Sequence, residues 1–189
     1  MAKRKYPFHD RRPAREDSDS AAANRRDSAN QVALRRNSSG AWEFVQPRCV
    51  QERELDLADV EEMLEADEIE IAREELRWLL DGCPDNMGVH FRLGDLALAE
   101  KDYRLARGHY GYAYQIGHKA IMRAKPPRHT GAWPPSVPRS APANELFFAA
   151  GKQLVWCLKL LEKPELLHEV VEFLLACDPD DPDHLRALL

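Results

Sequence analysis

Residues 69–86, IEIAREELRWLLDGCPDN, and residues 103–119, YRLARGHYGYAYQIGHK, superpose with a shift of 34 residues. Ile69 falls on Tyr103, Ile71 on Leu105, Ala72 on Ala106 and Arg73 on Arg107. A fixed shift of this length marks a repeated unit whose copies stack to bury a core that none could bury alone. Outward from this pair, apolar residues at spacings of three and four predict further helices: Leu57, Val60, Met63 and Leu64 before it, then Ile69 to Leu80, which Pro84 terminates. The next pair is expected over 86–99 and 103–120. Six prolines from Pro126 to Pro142 then forbid regular structure until Asn144, which reads as an N-cap. Helices over 145–161 and 165–176 and a short one from about Asp183 complete the body. The predicted fold class is all-α.

The unit beginning at Met87 resembles the tetratricopeptide repeat, whose pattern is W-x₂-L-G-x₂-Y, then A-x₃-F, then P. Leu93-Gly94 stands for L-G, Ala106 for the small residue where two helices touch, and Tyr110 for the aromatic four residues later. Small residues let helices approach closely, and large ones fill the seam. His90 replaces the Trp and Ala97 the Tyr. The unit from 53 to 86 has Asp59-Val60 in place of L-G but keeps Ala72, Leu76 and Pro84. A third, 148 to 181, puts Leu167 at the small position and Pro179 at the terminal proline, and its start lies 27 residues later than an unbroken array requires. That displacement matches a Pro-rich insertion over 124–143, with Trp133 as a further contact surface.

The resemblance implies three helix pairs plus a C-terminal capping helix over 53–189. It also implies a concave groove lined by the first helix of each pair. Carried over by position, the groove residues are Glu54, Leu57, Glu61, Leu64 and Glu65; Gly88, Phe91, Asp95, Leu98 and Ala99; and Ala149, Lys152, Trp156, Lys159 and Leu160. Such a groove is acidic at one end and carries Lys and Trp at the other, which suits a basic peptide with an apolar anchor. The clamp by which some members of the family hold the carboxylate tail of a chaperone needs Lys and Asn where Leu57, Glu61 and Phe91 stand, so that use is not expected.

The net charge of −5 hides an asymmetry. Residues 1–50 hold eleven Lys/Arg against six Asp/Glu, a surplus of five, so the remainder carries −10. Residues 1–39 have few large apolar side chains and read as part of a disordered basic arm running to residue 50. Within it Trp42, Phe44 and Val45 form an apolar island able to dock on the groove. Alternatively, the arm's arginines serve nucleic acid, although Asp10, Asp17, Asp19 and Asp27 interrupt them. Cys49, Cys83, Cys157 and Cys177 lie far apart with no C-x-x-C pair and read as reduced thiols. No run approaches a membrane span of roughly 20 apolar residues, and the expected location is cytoplasmic. The histidines form no H-E-x-x-H, and no phosphate loop or G-x-S-x-G occurs. We therefore expect no catalysis, cofactor or metal, and a protein that scaffolds others.

Overall fold

The computed structural model describes residues 31–125, 133–181 and 183–189. A single turn, α1 (Arg48–Gln51), precedes three helix pairs: α2 (Glu54–Glu65) with α3 (Ile69–Gly82), α4 (Met87–Ala99) with α5 (Tyr103–Arg123), and α6 (Pro142–Leu160) with α7 (Pro164–Cys177). A 3₁₀ turn, Leu185–Leu188, follows. Each helix packs on its neighbour in sequence, and α6 also touches α4.

The sharpest internal repetition lies in the turns. Each pair reverses within three residues, and the middle one adopts a left-handed conformation: Asp67 (φ 63°), Lys101 (φ 63°) and Glu162 (φ 54°). Asp67 N–H donates to the Leu64 carbonyl and Glu68 N–H to that of Met63; Lys101 and Asp102 bond Leu98 and Ala97, and Glu162 and Lys163 bond Lys159 and Leu158, in the same way. These two bonds satisfy carbonyls that a helix end otherwise leaves open. Glycine is the usual residue there, and Asp, Lys and Glu each cost about 1 kcal/mol in this conformation. The turns fall at the sequence period of 34 and, for the third, at that period plus the insertion.

Two clusters make up the core. Val60, Ala72, Leu76, Leu79, Val89, Leu93 and Leu96 join α2, α3 and α4, and a larger cluster including Tyr110, Phe147, Val155 and Leu174 joins α4 to α7. At Gly94 a methyl group would lie 2.6 Å from the Tyr110 ring, so the close approach of α4 and α5 requires glycine.

The fold is mostly helical, as expected, with one small antiparallel sheet as a minor element, and residues 33–36 and 42–45, expected to be part of a disordered arm, form it. Strand β1 (Ala33–Arg36) pairs antiparallel with β2 (Trp42–Val45), Leu34 opposite Phe44. The Asn37 side chain accepts from Ser39 and Ala41 N–H, and Gly40 at φ 89° completes the loop. The island docks beside α6 rather than in the groove: Phe44 is buried with its ring 5.1 Å from that of Phe147. The basic residues before 31 and the insertion between 126 and 132 lie outside the described residues.

Asn144 holds this corner together, and it is not the N-cap expected, since α6 already starts at Pro142. Its fully buried amide accepts from Phe44 N–H at 3.0 Å and donates to the Trp42 and Pro138 carbonyls, both at 2.9 Å. Trp133 packs edge-on against Trp42 at 6.4 Å, so its ring belongs in part to this packing. A final correction concerns the cysteines. Cys49 and Cys83 form a disulfide, with Cα atoms 5.7 Å apart, which removes the support that four thiols lent to a cytoplasmic location. Cys157 and Cys177 are buried thiols whose pKa values burial raises, that of Cys177 to about 12.

Candidate functional site

The first helices of the three pairs enclose a cleft of about 420 Å³. Leu57 and Glu61 enter it from α2, Gly88, Phe91 and Arg92 from α4, and Glu145, Leu146 and Ala149 from α6. Successive turns of each helix supply these residues, at steps of three or four with Phe91–Arg92 and Glu145–Leu146 as adjacent pairs. Phe91 is held from behind by the Tyr110 ring, 5.5 Å away.

The charges of the cleft are already coupled. Arg92 donates from Nε to Glu61 at 2.6 Å and from Nη1 to Asp95 at 3.2 Å, and the Tyr110 hydroxyl donates to the other oxygen of Asp95 at 2.7 Å. Partial burial works against the charge of Arg92, but the bonds and charges of Glu61 and Asp95 outweigh it and hold its pKa above the ordinary value. Burial, reinforced by Asp95, raises that of Tyr110, which stays a donor. Nη2 of Arg92 keeps both hydrogens without a partner among the described residues. Glu145, exposed in the first turn of α6, is the carboxylate of the cleft with no bond to the described residues.

The fifteen sequence-derived groove residues therefore divide. Leu57, Glu61, Gly88, Phe91 and Ala149 meet in the cleft, with Asp95 behind Arg92. Leu64 and Leu98 are partly buried packing residues, against the smaller and larger core clusters respectively. Lys152, Trp156 and Lys159 line a separate cleft of about 330 Å³, closed by Leu185 and Leu188 of the C-terminal turn, where Lys152 donates to Asp183 at 3.1 Å. The end of the groove expected to be acidic holds Glu61, Asp95 and Glu145 against one cation, Arg92, which offsets part of that charge. Sequence reading missed Arg92 and Leu146. The three-residue step from Arg92 to Asp95 was a usable signal, but the contact with Glu61 spans 31 residues. Leu146 was hidden because the third unit was started at Phe148, six residues inside α6.

Among the described residues no group of His, Cys, Asp and Glu could hold a metal ion, and no helix is long and apolar enough to cross a membrane. No family model, curated protein or solved structure matches the chain.

Proposed function

We propose that the chain is a short tetratricopeptide-type array that scaffolds other proteins without catalysis, gripping a peptide segment of a partner in the cleft between α2, α4 and α6. The observation that carries this reading is the composition of the cleft. An apolar floor from three helices, Leu57, Phe91 and Leu146, lies beside donors and acceptors already fixed in place. Prearranged groups lower the ordering cost of binding, and an apolar anchor in a concave site supplies most of the affinity. Glu145 favours a cationic residue next to the anchor, and Arg92 Nη2 is a donor for a peptide carbonyl.

The test is selection of peptides from a random library, followed by titration against Leu57→Asp and Leu146→Asp variants whose helical content matches the parent. Each substitution should weaken the selected peptides about tenfold or more. Peptides that bind both variants as tightly as the parent would sink the proposal.

A further inference from the structure

The ends of the stack carry matching surfaces that the central cleft does not use. On the outer face of α2, Leu55 is 80% exposed, with Asp59 and Glu62 exposed at the next two turns. α2 buries only Val60, so among the described residues this face is left uncovered. Its charge is not local accident: residues 51–86 hold fourteen Asp/Glu against three Arg. At the other end Trp156 is 52% exposed, with Lys152 one turn before it and Lys159 one turn after, beside the cleft that the C-terminal turn closes. The cleft lining sets Lys152 and Lys159 against one carboxylate, Asp183, which Lys152 shares with Arg139, and Lys159 has no ion pair among the described residues, so the lining itself is positive although residues 137–189 as a whole hold five Lys/Arg against nine Asp/Glu.

We propose that the chain associates head to tail, the outer face of α2 of one copy seating on the Trp156 cleft of the next. Leu55 is the anchor that enters the cleft, and Asp59 and Glu62 meet Lys152 and Lys159. A helix stripe with an apolar residue and carboxylates is complementary to one with an aromatic residue and lysines, and neither is complementary to itself. Such a contact joins two different surfaces, so a ring or an open chain forms instead of a closed two-fold dimer.

Sedimentation of the full chain over a range of concentrations, at low and high ionic strength, tests this. The parent should grow beyond a dimer with concentration, and high salt should weaken the growth. Leu55→Glu and Trp156→Glu should each be monomeric alone. Their equimolar mixture should form a dimer and stop, since each supplies the one surface the other lacks. Charge reversal gives a second check: Glu62→Lys or Lys159→Glu alone should weaken association about tenfold, and both in one chain should restore it. A parent that stays monomeric, single variants that assemble like the parent, or a mixture that stays monomeric or grows past a dimer would each overturn the proposal. Peptide binding in the central cleft should persist in Leu55→Glu and Trp156→Glu, so failure here is separable from failure of the scaffold reading.

Discussion

His90, on α4, is 8% exposed. Nε2 donates to the Pro84 carbonyl at 3.1 Å, and Nδ1 is buried with no hydrogen-bond partner among the described residues. Desolvation, helped by the neighbouring His109, lowers its pKa from 6.5 to about 4. The unfolded chain therefore binds this proton more readily than the folded one. The associated stability is complete above the unfolded value and is lost as pH falls from 6.5 toward about 4. The full loss is on the order of 3 kcal/mol, and burial lowers His109 and His118 in the same direction. Denaturant midpoints measured from neutral pH down to about 5, before most carboxylates protonate, should fall. In His90→Gln, which retains a donor for Pro84, the slope should be shallower. An unchanged slope would show that His90 does not titrate in this window.

At the scale of elements, hydrogen bonding at Asn144 decides how the N-terminal hairpin is attached. Replacing Asn144 with alanine leaves Phe44 N–H without its acceptor and takes the side-chain donor from the Trp42 and Pro138 carbonyls, the latter keeping Ala141 N–H, at a cost of about 2–4 kcal/mol. Asn86→Ala is the natural comparison. Asn86 is a true N-cap, accepting from Val89 N–H at 3.2 Å, and such a cap contributes about 1 kcal/mol. Equal losses from the two substitutions, measured by denaturant unfolding, would contradict the bridging role. This pair also shows what was legible. Helix positions followed from apolar spacing, and Leu57, Glu61 and Phe91 were placed in the cleft by their rank in the repeat. The hairpin was not legible, because Ala33–Arg36 is short and polar and its partner strand owes its burial to Phe147, a hundred residues away. The turns were not legible either, since Asp67, Lys101 and Glu162 carry none of the glycine signal for a left-handed residue.

Across the whole molecule the stack is open-ended, and its first pair has the fewest neighbours. That is where the cross-link lies: Cys49, just before α2, meets Cys83, just after α3. The loop it closes spans 34 residues, and closing a loop of that length contributes about 3–4 kcal/mol in the chain-entropy account. The enclosed segment contains the turn at 66–68, all three residues of which are exposed. A protease that nicks the backbone there would divide the chain without separating the fragments. The cut protein should run as one band on a denaturing gel until a reductant is added, and then as two. Damage to the most exposed end of the stack would thus be silent until a thiol reveals it.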